Sequence, residues 1–227
     1  MNVLPFAIAF SSSLILSFVC LITFGLLGHK KENGRSYSFL CQFPFELVEG
    51  HSPFLLAAQV SAFAFSFCFV LSGTILLWDS AFYPYISLGV ALSILSLAKG
   101  ASLAFLFKVP AYHFKPHMLF STLYLAFGAL MCAFSGIFFL NMRAVDEFPA
   151  LLLMGAEFAL CLCFVFLCLN PKMANWTKLR SEDDGSGALK VTRPRPFVLA
   201  FSQWLAIAFD FLCCLVLLFG VSFFSLD

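Results

Sequence analysis

Charge is what this sequence has least of. Asp, Glu, Lys and Arg make up 11% of its 227 residues, where a soluble domain carries about 25%. So little charge cannot cover a globule in water, and the chain is 62% hydrophobic with 32 phenylalanines. Little room is left for a separate soluble domain. The formal net charge of +1 provides no field to draw nucleic acid or acidic partners, so no nucleic-acid partner is expected.

Recognisable chemistry is equally scarce. No nucleophile elbow, phosphate loop, zincin motif or haem-binding histidine pair within an apolar run is present. An enzyme is therefore not expected, and neither is a cofactor. Nine cysteines are present, but all except Cys41 fall in apolar runs, where cysteine acts as a small, soft packing residue. A disulfide framework needs cysteines in exposed, oxidising segments, which this distribution does not supply. Neither Cys161-x-Cys163 nor Cys213-Cys214 has zinc-site spacing, so no metal is expected there. His113 and His117 stand four apart and would suit zinc on a helix. Pro110 and Pro116 beside them argue against a regular helix, and so against a metal.

What the sequence has in abundance is long apolar runs. Six reach the roughly 20 residues that a hydrocarbon core requires: Leu4–Leu27, Phe54–Trp78, Ile86–Phe107, Met118–Leu140, Phe148–Leu169 and Val198–Ser222. Prolines 53, 84, 116, 149 and 196 stand at or just before run starts, where a missing N–H does no harm. None interrupts a run midway, so unkinked helices are expected. The first run lacks a basic segment ahead of it and outlasts a typical signal-peptide core, so it is expected to stay as a helix. The expected fold is an all-α membrane protein, one polytopic domain over residues 1–227 built as a six-helix transmembrane bundle.

Lysines and arginines orient it. Lys30, Lys31, Arg35, Lys108, Lys115 and six residues between Lys172 and Arg195 fall on one side, eleven in all; the other side has only Arg143. Basic residues stay cytoplasmic, which puts both termini on the lumenal or extracellular side and residues 170–195 in a cytoplasmic loop. That loop contains Asn175-Trp176-Thr177, a glycosylation pattern on the wrong side to be used. It also holds Ser181 ahead of an acidic run, a candidate phosphorylation site whose bland alternative is a solvated tether. Trp78, Tyr83 and Tyr85 mark the outer interface, Tyr112 and Trp176 the inner. The apolar stretch Ser36–Val48 is too short to cross and is expected to lie in the inner interface, with Pro44 breaking any helix.

Three ionisable residues fall inside spans: Lys99, Glu157 and Asp210. A lysine at such depth costs about 2.5–3.5 kcal/mol on insertion scales, so a partner or a wet lining is expected. Either carboxylate can serve. In one reading the trio lines a polar pathway for a substrate or proton. In the other, Lys99 pairs with one carboxylate, the second is protonated, and the helices are held together. Small residues recur at helical spacing as Gly128, Cys132 and Gly136, as Gly89, Ser93, Ser96, Gly100 and Ala104, and as Gln59, Ser66 and Gly73. Such faces let helix backbones approach closely.

These features point to a non-enzymatic accessory or organising subunit of the plasma membrane or an endomembrane. Its partners would be the lipid bilayer and, through small-residue helix faces, other membrane proteins or itself. The alternative is a small secondary transporter or channel-like protein that uses Lys99, Glu157 and Asp210 near the midplane.

Overall fold

The first helix, α1 (Leu4–Asn33), runs six residues beyond its apolar stretch. Lys30 and Lys31 lie in its last turn, where positive charge suits the helix dipole, and Gly34 ends it at φ +64° by donating its N–H to the Lys30 carbonyl at 3.0 Å. In the computed structural model, the described residues are 3–78, 80–111, 113–170, 180–183, 189–192 and 196–225.

Beyond α1 lie α2 (Pro44–Val48), α3 (Pro53–Gly73), α4 (Ile86–Lys108), α5 (Phe114–Met142), α6 (Glu147–Leu169) and α7 (Val198–Phe224). Six of these seven, all but α2, are long and apolar enough to cross a membrane, one of the six starting its apolar stretch at Phe82. The chain is thus a multi-pass membrane protein by length and composition. Among the described residues the one strand pair is an antiparallel ladder, β1 (Arg180–Asp183) with β2 (Leu189–Thr192), between α6 and α7. Asn175-Trp176-Thr177, Tyr112 and most of the basic residues of that connection lie outside the described residues.

Two expected boundaries move for identifiable reasons. The second span ends at Gly73, followed by a 3-10 turn over Ile75–Leu77. There the Thr74 hydroxyl bonds the Leu71 carbonyl and accepts the indole N–H of Trp78 at 3.0 Å. The fourth span starts at Phe114 and includes Pro116 and His117. A regular helix therefore does form around His117, because a proline in the first turn lacks only an N–H that has no helical partner.

Neighbours in sequence pack as neighbours in space, α1 on α3, α3 on α4, α4 on α5 and α5 on α6, and α7 closes the ring between α6 and α1. Helix α7 also touches α3 and α5. It and α5 bury half of their most apolar stretch, whereas α6 buries 17%. Helix α7 is thus the inner member, and α6 presents Phe148, Leu152, Phe166 and Leu169 outward.

The end where α1, α4 and α6 finish carries the basic connections and is called the basic end. Residues 34–52 do not lie loosely across it. Pro44 begins a helix rather than breaking one, and Glu46 Oε2 accepts the Phe43 N–H at 2.7 Å. Phe43, Phe45 and Leu47 are buried, with Phe43 edge-on to Phe197 and His117. Tyr37 donates to the Phe43 carbonyl at 2.7 Å, and Trp204 of α7 donates to the Tyr37 hydroxyl at 3.0 Å. The segment is a cap folded into the bundle. The expectation that Pro44 would break any helix here is corrected, because a proline at the first helical position lacks only an N–H that has no helical partner, and the aromatic side chains around it pack between the helix ends.

Candidate functional site

The three in-span ionisable residues are wholly buried, each with 0% exposure. Lys99 on α4 forms an ion pair with Asp210 Oδ1 on α7. The other carboxylate oxygen, Oδ2, accepts the hydroxyl of Tyr124 on α5 at 2.7 Å. The remaining protons of the ammonium group point at Met131 Sδ, 2.9 Å away, and at Cys214 Sγ, 3.9 Å away. The Phe69 ring of α3 lies under it, 4.9 Å from nitrogen to centroid, close enough for a cation–π contact. Four helices thus meet at one ammonium group. A buried charge stripped of water needs this many partners to persist.

Glu157 takes no part in that pair. Its carboxylate lies beside the thiols of Cys132 on α5 and Cys213 on α7, with one ligand atom from each residue within 4.8 Å of the others. Apart from these weak thiol donors, neither Glu157 oxygen has a hydrogen-bond partner among the described residues. Cysteines 132, 213 and 214, expected as neutral packing, therefore belong to the polar centre of the protein, and all nine cysteines are free thiols.

Towards the basic end the polar seam between α5 and α7 continues. Gln203 Nε2 donates to Ser121 Oγ at 2.7 Å and lies 2.9 Å from His117 Nε2, while His117 Nδ1 lies 2.6 Å from the Val109 carbonyl. A neutral ring protonated at Nδ1 satisfies both contacts. His117 is buried and His113 exposed, so the two do not converge. Tyr124 follows His117 on α5 by seven residues, and Asp210 follows Gln203 on α7 by seven, so the two contacts lie two turns apart along facing helices. Gln203 and Cys214 share the helical face of Asp210 in the sequence, but Tyr124, Cys132 and Cys213 were missed as site members, because each resembles an ordinary membrane-helix residue until its neighbours are placed.

The glycine faces are filled from within. A Cβ on Gly128 would meet Phe164 Cε1 at 2.6 Å, and one on Gly136 would meet Phe158 Cε1 at 3.0 Å, both on α6. Gly89 faces Leu76 and Leu77, and Gly100 faces Val70 and the Ser66 carbonyl. Ser93 and Ser96 donate across to the Gly73 and Val70 carbonyls of α3 at 3.3 and 3.2 Å. All of these faces are spent on the chain's own helices. A cleft of about 560 Å³ opens at the basic end between Val48, His51, Gln59, Phe63, Phe107 and Lys108; it contains none of the three in-span charges. Comparison with known protein families, curated proteins and solved structures finds no match for the chain.

Proposed function

We propose that this multi-pass protein is a non-enzymatic accessory or organising subunit of a cellular membrane, with both termini on the lumenal or extracellular side. The observation that carries this reading is the closure of the Lys99–Asp210–Tyr124 centre. Each member is satisfied by another helix of the same chain and none is exposed. A centre so enclosed fixes helix register, as buried polar networks do. With the inner glycine faces filled, contacts to other membrane proteins fall to the outward surface, where α6 carries Gly155 with nothing within 4 Å of an added Cβ. The lipid bilayer is the other partner.

A second reading, a small secondary transporter or channel-like protein, is favoured by a different observation. Gln203 Oε1 and Ser135 Oγ are buried without hydrogen bonds, and Glu157 has only thiols beside it; polar groups of this kind inside spans mark ion and proton paths in membranes. Reconstitution in proteoliposomes with a pH-sensitive dye separates the two. The accessory reading expects no protein-dependent proton flux, and expects Lys99→Met to reduce the yield and thermal stability of the protein. Flux that depends on the wild-type protein and disappears in a folded Glu157→Gln variant overturns it.

A further inference from the structure

The group around Glu157 remains without a role in the lock. A carboxyl group buried with only two weak thiol donors beside it is costly, by several kcal/mol if charged, and such a group calls for a stronger partner. Its nearest polar neighbours are two thiols, each from a different helix, and all three donor atoms lie within 4.8 Å of one another. Zinc–sulfur bonds of about 2.3 Å in tetrahedral geometry set sulfurs about 3.8 Å apart, so the three donor atoms already stand near ligand spacing. A third thiol, Cys161, sits one turn beyond Glu157 on the same face of α6.

We propose that Cys132, Cys213 and Glu157 form a binding site for one zinc ion at the centre of the bundle, with Cys161, one turn from Glu157 on α6, as the nearest further thiol of that helix to complete the shell. The donor set selects the ion. Calcium and magnesium take all-oxygen ligands, and copper(I) takes thiolate and thioether sulfur, whereas zinc accepts thiolate and carboxylate together. Binding is balanced by proton release: one zinc ion enters as Cys132 and Cys213 lose their thiol protons and a protonated Glu157 loses its carboxyl proton, all of which leave to the buffer. Zinc with two thiolates and one carboxylate bears a single negative charge. The Lys99–Asp210 pair, neutral overall, lies alongside with its ammonium group 3.9 Å from the Cys214 thiol of the adjoining residue. The site ties α5, α6 and α7 together, the helices that the Lys99–Asp210–Tyr124 lock joins only in part. The proposal stands apart from the accessory and transport readings, since a fixed ion serves either.

The test uses the full chain purified in detergent and shown to be monodisperse. Wild-type protein dialysed against zinc is expected to retain one zinc per chain by plasma mass spectrometry. Its zinc-edge X-ray absorption should show a first shell of two or three sulfurs with one oxygen. Cobalt in place of zinc should give a thiolate-to-metal charge-transfer band. The Cys132→Ser/Cys213→Ser double variant should lower occupancy by at least about tenfold, while Cys20→Ser leaves it unchanged. The absorption measurement needs no variant, so a misfolded double variant does not protect the idea. Folded wild-type protein without stoichiometric zinc, or with a zinc shell lacking sulfur, overturns it. So does a cobalt band that persists in the folded double variant.

Discussion

Tyr124 and Asp210, 86 residues apart in sequence, meet at 2.7 Å in the centre of the bundle, the phenol donating to carboxylate Oδ2. The contact leaves Oδ1 for Lys99 and divides one carboxylate between two cross-helix bonds. It also settles which acid is the partner of the in-span lysine. Asp210 is reached from both α4 and α5, and Glu157 is left with the thiols.

Removing only the phenol oxygen isolates the first half of that arrangement. Tyr124→Phe keeps the ring and leaves one buried carboxylate oxygen unpaired, a cost of about 1–3 kcal/mol. The expected outcome is a lower thermal midpoint for the purified protein in a fixed detergent, with the helical circular-dichroism spectrum unchanged.

The ion pair behaves differently from its parts. Lys99→Met alone strands a buried Asp210, and breaking a buried pair in this way costs about 3–5 kcal/mol. Lys99→Met combined with Asp210→Val and Tyr124→Phe removes every polar member at once and should recover most of that loss. Thermal unfolding of the single and triple variants measures this. A triple variant less stable than Lys99→Met would mean that the network itself supplies the stability.

Glycine positions separate close packing from open surface. At Gly100 an added Cβ would sit 2.8 Å from the Ser66 carbonyl oxygen, which belongs to backbone and cannot swing aside. Gly100→Ala should therefore destabilise by about 1–3 kcal/mol, the usual range for overpacking. At Gly155 nothing lies within 4 Å, and alanine favours the helix by up to about 1 kcal/mol. Gly155→Ala should leave the thermal midpoint unchanged or raised, unless the α6 surface is held by a partner, in which case co-purification of that partner is what falls.

Hydropathy was enough to find the six spans, because a bilayer demands about 20 apolar residues and nothing subtler. The in-span charges were equally plain, since each of Lys99, Glu157 and Asp210 stands alone among apolar neighbours. Their pairing was not legible. It depends on which faces of α4, α5 and α7 turn inward, and helices with apolar residues all round hide that choice. Tyr124, Cys132 and Cys213 were invisible for the same reason: each is a common membrane-helix residue until a carboxylate is set beside it. At Pro44 the sequence was misleading, because a proline reads as a helix breaker in mid-run and as a helix start when it falls at the first position.

The cap at the basic end depends on one indole. Trp204 Nε1 donates to the Tyr37 hydroxyl at 3.0 Å and to the Gln42 carbonyl at 3.1 Å, joining α7 to a segment more than 160 residues earlier. Trp204→Phe keeps most of the ring packing and loses both bonds, each worth about 0.5–1.5 kcal/mol. Faster proteolytic cleavage within residues 34–43, with the six spans still protected, is the expected result.

Orientation in the membrane rests on charge alone, and its prediction is correspondingly sharp. The connections at the basic end hold eleven of the thirteen lysines and arginines, one more lies inside α4 as Lys99, and only Arg143 marks the opposite end. Short loops with such a bias remain on the cytoplasmic side during insertion. An epitope tag placed among residues 184–188 should bind antibody only after the plasma membrane is permeabilised, with internal membranes left sealed. A tag after residue 225 should need those membranes opened too, or should be reached from outside if the protein is at the cell surface. Asn175 should carry no glycan in either case. Glycosylation at Asn175, or the opposite labelling order, would place α1 in reverse and with it every span that follows.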